Sequence, residues 1–385
     1  GIQKIASKMV FHKYPNVLPY QRTVVGVPRK STGSAIAGYV IRQHFYTNLY
    51  DRLSTRPFLS LVEKKWIVFQ LFKAVEQCHQ EGVCHGDIKS ENIMVTSWSW
   101  IVLTDFASFK PTYLPDDDPT DFNYYFASSE HGQHRCYLAP ERFYSSSTDG
   151  NGNGNGNDGG ALGAQLGVDT MMGSGGKGKG NEKDGPLHQS MDVFSLGCVI
   201  AEVFLGGDAV LDLPTLLQYR SAPPDVSIDA TLSKLNKIEP ALTSKLNKTE
   251  INEAGERGVR AQGESVKNLV CNMLQREPSA RKSVAEYRDR CETKALDASG
   301  ATLFPPAFSG FIYPLMVTLQ HEAHTPDERV LLVCQNYGSI LWEMAGLEDP
   351  VGEAFFAHFV TPKPIYGTTP RPRPNNGSNN GSNNG

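Results

Sequence analysis

A short run of residues in the first third of this 385-residue chain could support phosphoryl transfer. The sequence HGDIKSEN occupies residues 85–92, and the triplet DFA begins 13 residues after its asparagine. An aspartate on a rigid loop can accept the proton of an attacking hydroxyl, and a lysine two positions later can reach the transferred phosphate. An asparagine and a second aspartate offer the hard oxygen ligands that magnesium prefers. The candidate residues are Asp87 as the base, Lys89 on the phosphate, and Asn92 and Asp105 on Mg²⁺.

Two short β-runs would bring the asparagine and the second aspartate together. Ile93–Val95 follows the asparagine directly, Trp100–Leu103 precedes the aspartate, and residues 96–99 form a turn between the runs. Apolar residues at three- and four-residue steps predict helices around this unit. The expected helices are Leu61–His79, Met191–Leu205, Ser265–Gln275, Phe311–Gln320 and Arg329–Met344, with a further strand at Gly38–Gln43. The chain should be mostly helical with two short strand pairs.

Composition excludes several classes of protein. The formal net charge of −4 argues against nucleic acid as the main partner, which needs a concentrated basic surface. The seven cysteines form no C-x-x-C pair, which argues against a disulfide framework or a zinc site and favours a reducing compartment. No stretch approaches the roughly 18 apolar residues that a membrane span needs.

Low-complexity sequence separates the patterned parts of the chain. Fourteen of the 36 residues at positions 150–185 are glycine, and the chain ends in NNGSNNGSNNG. Such sequence cannot recover the entropy lost on ordering, so a flexible loop and a disordered tail are expected. Two G-x-G-x-x-G matches within the loop neither follow a strand nor open a helix, so they do not indicate a phosphate site.

The motifs together resemble the C-terminal lobe of eukaryotic protein kinases. HGDIKSEN and DFA match the catalytic loop and the metal-binding triplet, and the triplet APE at residues 139–141 matches the end of the activation segment. DVFSLG at residues 192–197 and EPSAR at residues 277–281 match two later structural motifs in the same order. The resemblance implies an α+β protein-kinase-like fold, mainly its helical C-lobe, that uses ATP and Mg²⁺.

The kinase resemblance also implies structural roles. Asp192 would brace the catalytic loop, which contains His85, and Arg281 would form a buried ion pair with Glu141. A lysine two residues after the candidate base, as at Lys89, resembles the pattern of serine/threonine kinases more than that of tyrosine kinases.

The sequence departs from the kinase pattern in four respects. Gly86 replaces the arginine of H-R-D, which normally receives a phosphorylated activation-segment residue, so activation should not use that phosphate. Ala107 replaces the glycine of D-F-G. No glycine-rich strand and no strand lysine can be identified before residue 38, so nucleotide-binding residues are not assigned. No segment is assigned as the αC helix, and residues 1–14 stay open as its C-terminal end. By itself this chain, which reads as a fragment without most of the N-lobe, is expected to bind nucleotide poorly and to be inactive.

Four segments carry a closer resemblance. They are NLYDRLSTRP at residues 48–57, MVTSWSW at 94–100, LTDFASFKPTYLP at 103–115 and DFNYYF at 121–126. With the H-G-D loop, they resemble the kinase-like regulatory subunit of the class III phosphatidylinositol 3-kinase complex. The H-G-D and D-F-A departures are themselves in keeping with that family.

The family resemblance implies partners and a location. The partners would be the class III phosphatidylinositol 3-kinase catalytic subunit and a coiled-coil autophagy subunit, in autophagy and in endosomal and vacuolar sorting. The protein would be cytoplasmic and peripheral on endosomal, vacuolar or lysosomal, and autophagosomal membranes, with HEAT-type repeats and a WD40 propeller after the kinase-like domain. The expected division is 1–37 as an N-lobe remnant, 38–299 as the C-lobe with an insertion at 148–187, 300–364 as a helical start of HEAT-type repeats, and 365–385 as a tail.

Three hypotheses on function stay open at this point. The first is a scaffold and regulator with serine/threonine kinase activity, and the second is a catalytically silent pseudokinase that positions the lipid kinase. The third is an unrelated serine/threonine kinase, which is disfavoured because the signature at residues 98–115 would then be a coincidence. In that signature, Trp98 and Trp100 could form a partner surface or pack against the lobe.

Overall fold

The computed structural model describes most of the chain between residues 38 and 345. The described residues are Lys8, 13–18, 22–25, 38–107, 109–127, 135–145, 185–223, 233–238, 253–295, 302–320 and 324–345. The predicted flexible loop up to residue 184 and the predicted tail lie outside them, as does most of the predicted N-lobe remnant. Among the described residues, no helix is long and apolar enough to cross a membrane.

The described strands are short and form three small sheets. The strands are β1 (Arg22–Val25), β2 (Gly38–Ile41), β3 (Thr47–Asn48), β4 (Ile93–Val95), β5 (Ile101–Leu103), β6 (Leu114–Pro115) and β7 (Phe143–Tyr144). β1 pairs antiparallel with β2, the order β3-β4-β5 is antiparallel, and β6 pairs parallel with β7. The sequence predicted two strand pairs. It missed β1 and the two-residue strands β3, β6 and β7, and a two-residue run is too short to show a period.

Nine helices are described. They are α1 (Leu49–Ser54), α2 (Leu61–Gln80), α3 (Thr120–Tyr125), α4 (Gln189–Leu205), α5 (Leu213–Ser221), α6 (Glu253–Met273), α7 (Val284–Thr293), α8 (Tyr313–Gln320) and α9 (Pro326–Ala345). The predictions for α2 and α4 are confirmed to within two residues at each end. α6 begins 12 residues before its predicted start, because its polar, glycine-containing first half carries little apolar periodicity while backbone hydrogen bonds extend the helix from the buried half.

Two long helices form the centre of the core. α2 begins at a capping box, in which the Glu63 amide donates to Ser60 Oγ and the Ser60 amide donates to the Glu63 carboxylate. α4 is buried from Met191 to Phe204, so it packs on every side. At Gly197 a side chain would put its Cβ 2.9 Å from Met273 Cβ, which explains why α4 and α6 can approach so closely.

The segment before α8 belongs to the same core. Phe304 and Phe308 are buried, and the Phe308 ring lies 5.1 Å from that of Trp66 on α2. The Tyr313 hydroxyl donates to Asn16 Oδ1 over 2.6 Å and accepts from Gln77 Nε2 over 3.0 Å. The helical region predicted to follow residue 299 therefore begins as part of the kinase-like lobe.

Candidate active site

The candidate base, Asp87, is almost fully buried at the end of a tightly held loop. Asn92 Nδ2 donates both to the Asp87 main-chain oxygen and to Asp87 Oδ2, each over 2.8 Å. Lys110 Nζ lies 2.6 Å from the same Oδ2. One oxygen of the carboxylate is thus fixed by two donors, and this fixes the direction in which the carboxylate points.

Asp192, on buried α4, holds the main chain that precedes Asp87. Its Oδ2 accepts the His85 amide and its Oδ1 accepts the Gly86 amide, each over 2.8 Å. His79 Nε2 lies 3.0 Å from Oδ2. Burial by itself would raise the pKa of Asp192, but hydrogen bonds from His79 and the Gly86 amide outweigh it, so the pKa lies below its ordinary value.

His85 links the catalytic loop to the strand that carries the second aspartate. Its Nε2 lies 2.8 Å from the Thr104 carbonyl oxygen, and its Nδ1 accepts the Asp87 amide over 3.2 Å. These partners assign the neutral tautomer with the proton on Nε2. Burial lowers the pKa of His85, which agrees with that form.

The predicted metal ligands are brought together by the β4–β5 pair. Ile93, next to Asn92, pairs with Leu103, and the Thr104 amide donates to the Asn92 carbonyl over 2.9 Å. Asp105 has a φ of +63°, a strained value for a residue with a side chain, and its carboxylate is 36% exposed. An amide and a carboxylate at adjacent strand ends suit Mg²⁺, which takes few protein oxygens and completes its shell with phosphate and water.

Arg42, which follows β2, contacts the predicted metal ligand Asp105, and the sequence did not predict this contact. Its Nη2 lies 3.1 Å from Asp105 Oδ2, so a cation already occupies one oxygen of this carboxylate.

Lys110 contacts the candidate base, a contact that the sequence did not predict, whereas Lys89 is the lysine predicted to reach the transferred phosphate. Lys89 is half-buried just before the turn at Ser90–Asn92. The Lys110 side chain is 11% exposed, and Nζ lies 4.8 Å from the centre of the Phe126 ring. A contact between residues 23 positions apart has no local signal, although Lys110 does lie within the family-like segment at 103–115.

The ion pair expected between the APE triplet and the EPSAR motif is present in the structure. Arg281 Nη1 lies 2.7 Å from Glu141 Oε1, and Nη2 lies 2.9 Å from Oε2. Arg281 also donates to three carbonyl oxygens, which satisfies the buried guanidinium. The pair ties the end of the activation segment to the loop before α7.

A second buried network joins α4 to the catalytic loop. Glu202 accepts a hydrogen bond from the Tyr137 hydroxyl over 2.8 Å and from Ser90 Oγ over 3.2 Å, and it forms an ion pair with Arg135. Burial raises the pKa of Glu202 to about 7, although the Arg135 charge acts in the opposite direction.

The raised pKa of Glu202 predicts a measurable pH dependence of stability. The folded state holds a proton that the unfolded chain, with a pKa of 4.5, has released, so this contribution falls as the pH rises from 4.5 to about 7. Urea unfolding of the wild type and Glu202→Gln across this range should show the wild type losing stability relative to the variant. Parallel stability curves would contradict the assignment.

Gly86 allows the loop to take a left-handed turn. Its φ is +75°, and a Cβ would lie 2.5 Å from Leu187 Cδ1. We expect Gly86→Ala to reduce the free energy of unfolding by about 1–2 kcal/mol, because of the positive φ. Gly258→Ala, which meets no atom within 4 Å at a helical position, is the matched control and should not destabilise the protein. Equal unfolding midpoints for both variants in urea would refute this expectation.

The helical lobe, the loop braced by Asp192 and the ion pair between the APE and EPSAR motifs define the protein-kinase fold. The family model described as "Protein kinase domain" matches residues 37–158. Protein kinase domains in general use ATP and Mg²⁺.

The curated relatives are named as serine/threonine-protein kinases. The chain is 40% identical over 312 residues to serine/threonine-protein kinase VPS15 of Arabidopsis thaliana, with 81% of this chain and 16% of the relative covered. It is 36% identical over 363 residues to serine/threonine-protein kinase VPS15 of Saccharomyces cerevisiae, with 93% of this chain and 20% of the relative covered. The probable vps15 of Dictyostelium discoideum is 35% identical, with 85% and 12% covered.

These findings confirm the resemblance to the kinase-like regulatory subunit of the class III phosphatidylinositol 3-kinase complex. They also tell against an unrelated serine/threonine kinase. The chain spans between 12% and 20% of the length of these three relatives.

Proposed function

We propose that this chain is the kinase-like part of a regulatory subunit that scaffolds a class III phosphatidylinositol 3-kinase in vacuolar protein sorting and autophagy. The observation that carries the proposal is the similarity of more than four fifths of the chain to proteins named VPS15. On this proposal the partners are the lipid kinase catalytic subunit and a coiled-coil subunit, and the protein acts peripherally on endosomal, vacuolar and autophagosomal membranes.

The domain plan is part of the same proposal. Residues 38–299 are assigned to the C-lobe, with the insertion at 148–187, and residues 300–364, whose first part packs on that lobe, lead into HEAT-type repeats. The contacts of Phe304, Phe308 and Tyr313 with α2 support a continuous connection between the two parts.

We further propose that the site transfers a phosphoryl group from ATP to a serine or threonine hydroxyl. Asp87 accepts the hydroxyl proton, since its carboxylate is fixed by Asn92 and Lys110. Asn92 and Asp105 would hold Mg²⁺, which when bound neutralises phosphate charge. Lys89 remains the residue proposed for the γ-phosphate. His85, Asp192, Glu141 and Arg281 are structural.

One observation favours the alternative, a catalytically silent scaffold. Both site carboxylates already pair with cations, Asp87 with Lys110 and Asp105 with Arg42. A substrate hydroxyl and a metal ion would have to compete with these pairs. The active scaffold and the silent scaffold would act in the same complex, but only the active scaffold would itself phosphorylate serine or threonine hydroxyls.

The proposal is tested on the full-length protein in its native complex. The protein is immunoprecipitated, and the precipitate is assayed for synthesis of phosphatidylinositol 3-phosphate and, in parallel, for protein phosphorylation. Lipid kinase activity is the expected result. Protein phosphorylation in a precipitate without lipid kinase activity would overturn the scaffold role, whereas lipid kinase activity alone would select the silent scaffold.

A further inference from the structure

Arg142 is a buried arginine that the kinase motifs do not explain. It follows the APE triplet directly and is 1% exposed. Its Nη1 donates to the Gly86 carbonyl over 2.7 Å, Nη2 donates to the Pro111 carbonyl over 3.0 Å, and Nε donates to the Thr112 carbonyl over 2.8 Å. One side chain thus joins the catalytic loop to the beginning of the activation segment.

The geometry of these contacts requires an arginine. The guanidinium is a planar fork with five N–H donors, and here three of its nitrogens donate at once to separate carbonyls. The guanidinium carbon also lies 5.0 Å from the centre of the Phe126 ring, an aromatic face that attracts a cation. A lysine ammonium is a single point and cannot span the same three carbonyls.

The bonded carbonyls flank the residues on which the proposed chemistry depends. The Gly86 carbonyl belongs to the peptide that leads into Asp87, and Asp192 already holds the Gly86 amide on the other side. Pro111 follows Lys110, whose ammonium contacts Asp87. Arg142 therefore restrains both partners of the Lys110–Asp87 pair through their adjacent main chain.

The contact also bears on the missing arginine of the catalytic loop. The left-handed φ of Gly86 and the nearby Leu187 disfavour an arginine side chain at position 86. The three acceptors of Arg142 are main-chain carbonyls, which are present in every covalent state of the protein. No phosphate is needed for this link to form.

We propose that Arg142 is a positioning residue that clamps residues 110–112 to the catalytic loop without phosphorylation of the activation segment. Arg142 thereby holds the activation segment on the catalytic loop, as the arginine of H-R-D does through a phosphate in other kinases. Its effect on catalysis rests on the proposed phosphotransfer, but the clamp itself does not.

Hydrogen–deuterium exchange on the full-length protein tests the clamp without relying on activity. Arg142→Lys keeps the charge but loses the fork. Losing two of the three hydrogen bonds should speed exchange at residues 107–116 by at least about tenfold. The reporting amides include Ala107, which donates to the His85 carbonyl, and Asp116, which donates to the Tyr144 carbonyl.

Arg276→Lys is the matched control. Arg276 also donates through two guanidinium nitrogens to main-chain carbonyls, those of Ala222 and Pro223, but neither lies in the catalytic loop or the activation segment. This variant should speed exchange near residues 219–223 and leave residues 107–116 unchanged. The proposal is overturned if both variants loosen residues 107–116 equally, or if Arg142→Lys leaves them unchanged.

Two further measurements complete the test. Phosphatase treatment of the wild type should not change exchange at residues 107–116, and faster exchange would show that a phosphate holds the segment. If Arg142→Lys does not fold, Phe126→Leu removes the ring beside the guanidinium and should speed exchange there by about two- to fivefold. No change in that variant would count against the clamp.

Kinase assays separate this proposal from the proposed function. If the protein phosphorylates, Arg142→Lys should lower kcat at least about tenfold with little change in KM for ATP, because the base is misplaced while the nucleotide contacts are not. If the protein has no phosphotransfer activity, Arg142 has no role in catalysis. The exchange measurement then decides by itself whether the clamp exists. A phosphorylating protein with unchanged kcat overturns the positioning role.

Discussion

Asp87→Asn is expected to slow ATP-dependent autophosphorylation of the full-length protein by about 10²–10⁴-fold, the usual contribution of a general base. An amide keeps the size of the side chain and can still accept a hydrogen bond from Lys110, but it cannot take up the proton of a substrate hydroxyl. The assay follows phosphate incorporation at a temperature well below the unfolding midpoint, because Lys110 loses its buried counter-ion in the variant.

The matched control for Asp87→Asn is Asp289→Asn, an exposed position on α7. The control should phosphorylate at the wild-type rate. If Asp87→Asn is as fast as the control, Asp87 is not the base. If the wild type shows no phosphorylation, the protein is the silent scaffold.

Asp192→Ala is expected to reduce the free energy of unfolding by about 3–5 kcal/mol, the cost of breaking a buried charged interaction from one side. The substitution leaves the His85 and Gly86 amides without their acceptor in a dry environment, and it removes the partner of His79. Urea unfolding measures the loss. Asp208→Ala, at an exposed position just after α4, is the control and should change stability little.

The lowered pKa of Asp192 adds a pH signature to that prediction. Its contribution is fully present above the unfolded pKa of about 4 and is lost as the pH falls through the lower folded pKa. The stability difference between the wild type and Asp192→Ala should therefore shrink below about pH 4. A difference under about 1 kcal/mol at neutral pH would show that the loop is held by other contacts.

The long elements and the motif order were predictable from sequence because they depend on local patterns. α2 and α4 each carry enough apolar residues to define a buried helix, and motif order placed Asp192 under the catalytic loop. For Trp98 and Trp100 the sequence left two roles open, which were packing against the lobe and forming a surface for a partner. In the structure Trp100 is fully buried, while Trp98 is 59% exposed at a positive φ.

The contacts made by Lys110, Arg142 and Arg42 could not be predicted in the same way. Each joins residues that are 23 or more positions apart and meet only after β4, β5 and the activation segment are in place. Long basic side chains have many rotamers, and a motif gives the position of a residue but not the direction of its side chain. The sequence thus indicated which carboxylates form the site and not which cations contact them.

The packing of residues 303–313 has a mechanical consequence. Phe304, Phe308 and Tyr313 contact the α2 aromatic residues Trp66 and Phe69, and Tyr313 also bonds to Asn16. Moving residues 303–313 away from α2 would pull these rings out of the core, so the first joint that can turn freely lies beyond Tyr313. Tension or torque on the helices that follow is therefore transmitted to α2, whose far end carries His79 beneath the catalytic loop.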